Sequence, residues 1–413
     1  MRVLKFSLVQ IEAIDSKLSG LTLPETVHAR HDMVRASRYD VVIIGAGING
    51  AGIARDAAMR GLKVLLIEKG EIGAGTTSAS TRLIHGGLRY LEHFEFGLVY
   101  ESLRERETLL RIAPDLVRPL AMAIPIYKQS RRGWLTIRAG MVLYDLLSLG
   151  KSLPRHRMLS RAETLERWPG LNPEGLVGSA LYYDAQVEFP ERLVLANVQS
   201  AQEFGAEVLT HTRVTGLTVS GVEFGGQFAE ASVIINAAGP WIDLVLAPVK
   251  SPKLIGGTKG SHIVVPVFSG APTNAIYLEA RSDGRPIFII PWNKLYLIGT
   301  TDVPFEGDPD EVRCEDWEID YLLSETNLAL PGAKLTRDSI LQTYSGVRPL
   351  PYQSSTRRHF IREHPQLSNL LSIVGGKLTT YRSLSEECVD LIFRKLGRNP
   401  PACRTAKEYL AGQ

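Results

Sequence analysis

The chain has 413 residues, 44% hydrophobic and 22% charged, with a formal net charge of +3. That length exceeds what a single hydrophobic core usually holds, so two domains are expected, and so small a charge gives no case for a nucleic-acid partner. Three cysteines without metal-ligand spacing (Cys314, Cys388 and Cys403) suit a reducing compartment, and no run of about 18 apolar residues suggests a membrane span.

Residues 1–38 precede the first predicted strand and read as a loose tail. Met33-Val34-Arg35-Ala36-Ser37-Arg38 leads straight into that strand, so Met1 and Met33 are both candidate starts. Tyr39-Asp40-Val41-Val42-Ile43-Ile44 is an apolar, β-branched run that breaks at Gly45-Ala46-Gly47-Ile48-Asn49-Gly50. A small-residue helical segment follows, then a second apolar run, Lys63-Val64-Leu65-Leu66-Ile67, which ends in Glu68. This is the βαβ dinucleotide fingerprint. Gly45 permits the tight turn, Gly47 lets backbone approach a pyrophosphate, and Gly50 lets the helix pack closely on the strand. Glu68 stands where it can accept hydrogen bonds from an adenosine ribose. The motif alone leaves NAD and FAD open.

The Gly-, Ser- and Thr-rich run from Gly70 to Arg82 can offer backbone N–H groups and hydroxyls to a second stretch of phosphate or ribitol. His85-Gly86-Gly87-Leu88-Arg89-Tyr90 then groups an imidazole, a guanidinium and a phenol around two glycines. A helix is expected over 96–112, closed by Pro114, with a strand over 120–127. The segment 131–147 reads as an amphipathic helix with Trp134, Ile137, Met141, Tyr144 and Ser148 near one face and Arg131, Arg132 and Arg138 giving basic character. Two readings stay open for it: a membrane-surface contact, or a helix docked on its own core. Ser160-Arg161-Ala162-Glu163 is a capping box opening a short helix, and Pro190 starts another that Gly205 stops.

Val233-Ile234-Ile235-Asn236-Ala237-Ala238-Gly239-Pro240-Trp241 is a buried-strand run ending in small residues. Such a strand returns beside the first in flavoproteins, and Gly239 then lies against the cofactor. From 259 to 301 the pattern changes to short strands of an antiparallel sheet, followed by a helix over 314–327. Strand character returns at 339–344 and 370–374, and 378–396 forms a terminal helix. The fold class is therefore α/β: a doubly wound, Rossmann-like dinucleotide domain with an antiparallel-sheet substrate domain. The dinucleotide domain is expected from 39–118, 190–245 and 340–400, and the substrate domain from 119–189 and 246–339.

Four clusters carry a family resemblance: Gly45 to Glu68, the His85–Tyr90 run, Tyr344-Ser345-Gly346-Val347-Arg348-Pro349-Leu350, and Gly375-Gly376-Lys377-Leu378-Thr379-Thr380-Tyr381-Arg382. With Lys259-Gly260-Ser261-His262 and Ile298-Gly299-Thr300-Thr301-Asp302, they resemble the FAD-dependent glycerol-3-phosphate dehydrogenases over nearly the whole chain. The resemblance selects FAD and implies a fold like that of the glycine and D-amino-acid oxidases. It places Gly45, Gly47, Gly50 and Glu68 on the ADP half, and Thr77, Ser78 and Ser80 along the second phosphate and ribitol. Gly375, Gly376, Leu378 and Thr379 fall at the flavin ring. The terminal helix dipole and Lys377 would stabilise negative charge at the pyrimidine edge.

Glycerol 3-phosphate carries about two negative charges near pH 7, which calls for cations with fixed donor geometry. Arg89 and Arg348 stand in matching motifs, Arg357 in Arg357-Arg358-His359 matches less closely, and Tyr90 adds a neutral donor. Oxidation to dihydroxyacetone phosphate sends a hydride from C2 to FAD N5 while a base takes the hydroxyl proton. His85 is the expected base, with Lys377 as runner-up. The resemblance implies quinone or oxygen as acceptor, a cytoplasmic protein with peripheral contact at the inner face of a membrane, and room for a homodimer. Two other readings use the same residues: a D-amino-acid or 2-hydroxy-acid oxidase, and a non-catalytic FAD-binding protein. The sequence departs from the family in two places. Family members commonly carry a further helical domain beyond the last flavin-contacting helix, whereas this sequence ends at Gln413, and Val187-Glu188-Phe189-Pro190-Glu191-Arg192-Leu193 replaces paired aspartates before Arg-Leu.

Overall fold

The computed structural model describes residues 38–353 and 358–410, so both candidate starts and Arg357 lie outside the described residues. Two sheets meet at the sequence motifs. The run Arg38–Ile44 is the centre of the first, because a strand buried on both faces must be apolar throughout: Val41, Val42 and Ile43 are fully buried. Val64–Ile67 pairs parallel on one side of it, and Gln227–Asn236 returns parallel on the other, as the 233–241 run suggested. Leu370–Val374 and Glu207–Leu209 extend the parallel set, while Phe360–Glu363 and the hairpin Val214–Thr218/Gly221–Phe224 add antiparallel strands.

The helix Ile48–Met59 packs against the first sheet and against the helices Pro190–Glu203 and Tyr381–Lys395. Its small residues set the spacing. A Cβ on Gly52 would lie 2.5 Å from Ser385 Oγ and 2.7 Å from the Tyr381 ring, so only glycine lets the terminal helix cross this closely.

In the second sheet Ile255–Val265 pairs with Leu295–Gly299, Val303–Pro304 and Gln342–Pro351. Pro286–Trp292, Ala275–Glu279, Val117–Tyr127, Leu176–Val187 and Leu83–Ile84 continue it. Two expectations need correcting. Gln342–Pro351 runs its whole length along Ile255–Val265, so the dinucleotide range drawn from 340 starts inside the substrate sheet. The sheet is also not purely antiparallel: Ala275 and Ile276 pair parallel with Met122 and Ala123. One face buries Ile276, Ile289, Ile298 and Ile263 against Ile319, Leu322 and Leu323 of the helix Asp316–Ala329. The opposite face carries Met122, Tyr182, Phe288, His262 and Tyr344. Against it pack the helices Phe96–Ile112 and Trp134–Leu147, the latter through Ile137, Met141 and Tyr144, so this named apolar face is docked on the core.

Candidate functional site

A cavity of about 510 Å³ runs from the first glycine turn to the Gly375–Leu378 segment. At its first end Gly45 adopts φ +99°, and a Cβ there would sit 2.8 Å from the Ala237 carbonyl oxygen. On Gly50 it would sit 1.9 Å from the Gly45 oxygen, which is the close strand–helix packing expected of the third glycine. Gly47 differs: an added Cβ would touch only Thr77 Oγ1, at 3.7 Å, so the backbone there is bare toward the cavity. Gly47 is also the N-cap of Ile48–Met59 and supplies no side-chain cap, which leaves the helix dipole and early N–H groups for an anion. Glu68 lines the cavity with its carboxylate fixed by two backbone donors, Ala46 N–H at 2.8 Å and Gly70 N–H at 2.9 Å.

Thr77, Ser78 and Ser80 line the middle of the cavity, where Thr77 Oγ1 accepts from Ile48 N–H at 3.3 Å. Gly239 borders the same space. At the far end Gly375 and Gly376 take φ +77° and +95°, and Asn49 Nδ2 donates to the Gly375 oxygen at 3.3 Å. Gly375, Gly376, Lys377 and Leu378 line the cavity, whereas Thr379 is buried and accepts from His85 N–H at 3.1 Å. Asn49 Oδ1 and Trp241 Nε1, both on lining residues, are buried without a hydrogen-bond partner. Bare glycine backbone, a helix start whose N-cap carries no side chain and orphaned polar atoms together fit an extended dinucleotide.

Of the substrate candidates, Lys377, Tyr90 and His85 meet at the far end of the cavity, whereas Arg348 and Arg89 stand apart at the second sheet. Lys377 Nζ donates to the buried Ser102 hydroxyl at 2.7 Å and lies 4.6 Å from the Tyr90 ring centroid. The His85–Tyr90 run and the Gly375–Thr380 segment are thus brought together, with His85 half-buried between them. Arg348 is held at the sheet: Nη1 donates to Asp302 Oδ1 at 3.0 Å, and Nη2 to Thr300 Oγ1 at 2.9 Å and the Thr301 carbonyl at 3.3 Å.

Arg89 is exposed and lies near Tyr277, whose phenol is raised above its ordinary pKa by burial, with Arg132 and Arg89 opposing. Tyr277, Phe288, Gly299, His262 and Tyr344 are aligned partners on five successive strands, and Arg348 falls on the same face by the two-residue period. Arg89 and Arg348 therefore address one face of the sheet from opposite ends of a row about 19 Å wide.

His262 was quoted in a motif but given no role, because a lone histidine in a strand carries no signature of its own. It is fully buried, its ring stacks on Tyr344 at 4.8 Å, and Nε2 lies 3.0 Å from Thr81 Oγ1. Its Nδ1 has no hydrogen-bond partner. Burial, reinforced by the charges of Arg348 and Arg82, pushes this imidazole well below 6.5 and keeps it neutral.

In the run that departs from the family pattern, the Glu188 carbonyl accepts from Arg82 Nη1 at 2.7 Å and from Trp292 Nε1 at 2.8 Å. Glu191 Oε2 lies 3.5 Å from the same arginine. The Glu188 backbone and the Glu191 carboxylate thus both face the buried Arg82.

A two-sheet fold with this cavity defines a dinucleotide-binding oxidoreductase. The chain belongs to the FAD dependent oxidoreductase (DAO) family, whose model matches residues 40–380. It is 50% identical to a glycerol-3-phosphate dehydrogenase of Synechocystis sp. over 92% of this chain and 74% of that protein. With the aerobic glycerol-3-phosphate dehydrogenase of Escherichia coli it shares 42% identity over 85% of this chain and 72% of that one. Among solved structures, the glycerol-3-phosphate dehydrogenase of Bacillus halodurans complexed with FAD superposes with TM-score 0.72 at 30% identity, covering 89% of this chain and 67% of that one. Glycine oxidase from Geobacillus kaustophilus shares the fold, with TM-score 0.71 at 22% identity over 91% of this chain and 99% of that one. FAD is the cofactor the cavity accommodates.

Proposed function

We propose that this chain is a flavoenzyme that oxidises sn-glycerol 3-phosphate to dihydroxyacetone phosphate and passes the electrons to a quinone at a membrane surface. The observation that carries the reading is the meeting of the cofactor cavity with a cationic wall: Lys377 lines the cavity, touches Tyr90, and is backed by the segment bearing His85. Bound FAD supplies the two-electron acceptor for the substrate's C2–H. The protein supplies the rest.

Arg348, fixed by three acceptors, presents a guanidinium plane suited to a phosphate, and Lys377 adds a point charge from the cofactor side. Arg89, across the row from Arg348 and too far to share one phosphate with it, adds positive field at the exposed end of the same face. Lys377, donating to Ser102 at the cavity edge, serves as anion clamp, and the C2 hydroxyl proton goes to an imidazole nitrogen of His85. A carboxylate substrate, as for an amino-acid oxidase, would leave part of this charge unmatched.

Quinone as acceptor is supported by a surface beside the site. Leu135, Val142, Leu146 and Leu149 are exposed along Trp134–Leu147 and its end, and the helix Phe96–Ile112 that packs beside it exposes Phe96 and Tyr100. Exposed Arg131 and Arg138 flank them. Apolar side chains ringed by cations suit a monotopic contact with an anionic leaflet. No helix among the described residues is long and apolar enough to cross a membrane.

The test is anaerobic: record the flavin band of the purified holoenzyme, then add glycerol 3-phosphate, glycerol or a D-amino acid. Bleaching by the phosphate ester alone, reversed faster by a quinone than by oxygen, is expected. Bleaching by the amino acid would overturn the reading.

A further inference from the structure

We propose that Glu318 is a positioning residue for Arg348, setting the geometry of the substrate anchor from about two side chains away. The inference rests on the reading of Arg348 as the phosphate anchor.

Glu318 stands in the first turn of Asp316–Ala329 and is fully buried. A buried carboxylate is costly unless every lone pair is used. Here each oxygen has two donors. Oε2 accepts from Glu315 N–H at 3.0 Å and faces Lys259 Nζ at 2.9 Å. Oε1 accepts from Ser261 Oγ at 2.8 Å and Thr301 Oγ1 at 2.7 Å.

A capping box accounts for only one of these four bonds, the one from Glu315 N–H. The helix is already fixed by Ile319, Leu322 and Leu323 in the core. Oε1 does nothing for the helix. Both its bonds go to the substrate sheet, and one goes to the residue at the centre of the turn that grips Arg348.

That turn is Thr300-Thr301-Asp302, and all three residues accept from the guanidinium. Thr301 is held from both sides: its hydroxyl donates to Glu318 and accepts from Ser261 N–H at 2.8 Å. Rotation of Thr301 would move its carbonyl, and with it the flanking Thr300 hydroxyl and Asp302 carboxylate. Gly260 limits the room around this grip, since a Cβ there would lie 2.2 Å from Arg348 Nη2 and 2.5 Å from Thr300 Oγ1. The guanidinium is therefore confined by a turn whose middle residue is fastened to a buried charge.

The test is steady-state kinetics with glycerol 3-phosphate and a soluble quinone on holoenzyme of checked flavin content. Glu318→Gln keeps the volume but replaces one acceptor with a donor, and Thr301→Val removes only the bridging hydroxyl. Each is expected to raise KM about five- to tenfold with kcat within about twofold, the size of one ordinary hydrogen bond, since the loss reaches substrate only through Arg348. Thr301→Ser should restore KM.

Glu318→Gln added to Arg348→Ala should raise KM no further, because the two act through one contact. If Glu318→Gln does not fold, Thr301→Val decides. Unchanged KM in Thr301→Val and Glu318→Gln, against a raised KM in Arg348→Ala, would overturn the positioning role. So would a further rise in the double variant. Unchanged KM in Arg348→Ala would instead sink the anchor reading itself.

Discussion

Lys69 and Asp310 join the two halves of the molecule beside the cofactor cavity: the ammonium lies 2.8 and 2.7 Å from the two carboxylate oxygens and 4.0 Å from the Trp241 ring centroid. Lys69 follows Glu68 at the end of the second strand, whereas Asp310 belongs to the turn Pro309–Glu311 beyond the substrate sheet, and all three line the cavity. The pair is partly exposed, which limits its worth to about 0.2–1 kcal/mol. Asp310→Asn should therefore speed FAD release roughly two- to fivefold. Arg213, 3.9 Å from Asp310, would lose its partner in the same change. Stopped-flow recovery of flavin fluorescence on dilution measures it. Release from the unaltered protein should accelerate with salt toward the variant's rate, since screening acts on the same attraction.

Acidification should cost stability through the buried imidazoles. His262 is lowered by burial, then by Arg348 and Arg82, and His364 is lowered by burial and Arg362. Both hold a proton less readily in the fold than in the unfolded chain, which takes up their protons below about pH 6.5. Their contribution is fully present above that pH and is lost as pH falls, at no more than about 1.4 kcal/mol per pH unit for each group. Thermal unfolding of the holoenzyme at pH 7.5, 6.5 and 5.5 should show a falling midpoint. His262→Gln should make that fall shallower, because one of the two titrations is gone.

What the sequence made legible is what short-range chemistry encodes. The glycine fingerprint works because Gly45, Gly47 and Gly50 each answer a local steric demand. The Ser160–Glu163 box forms as expected, because both bonds lie within one turn. The helix expected over 96–112 forms there, between its apolar face and Pro114. Pairing across distant segments has no such trace. Nothing near Ala275 reveals that its neighbour is Met122, running parallel, and nothing near Gln342 says that it joins the second sheet. The same limit hid the ties that give the site its shape: Lys377 to Ser102, Glu318 to Thr301, and the stacking of His262 on Tyr344.

The membrane contact can be separated from folding because its residues are exposed. Leu135 and Leu146 are 76% and 56% exposed, so replacing both with Ser removes little from the core. Flavin content and bleaching by glycerol 3-phosphate should stay as they were. Co-sedimentation with anionic phospholipid vesicles should fall at least tenfold for about 2–3 kcal/mol of lost apolar transfer, and turnover with a vesicle-borne quinone should fall in parallel. Undiminished sedimentation would place any membrane contact elsewhere.

His85 is the residue on which turnover should depend most. Its backbone N–H is tied to Thr379 at 3.1 Å, a bond that holds the loop to the 375–380 segment whatever the side chain. His85→Ala should then retain FAD and fold while losing general-base help, a fall in kcat of about 10²- to 10⁴-fold. Because the base acts on the C2 hydroxyl and not on the phosphate, KM should change little. Arg348→Ala should do the reverse, chiefly raising KM. The pH profile separates the roles further: the acidic limb of kcat/KM in the unaltered enzyme should track an imidazole and vanish in His85→Ala. Full turnover after His85→Ala, with the limb unchanged, would move the base to another group. His262 would be the next to test, since its Nδ1 is buried without a partner beside the cavity-lining Tyr344.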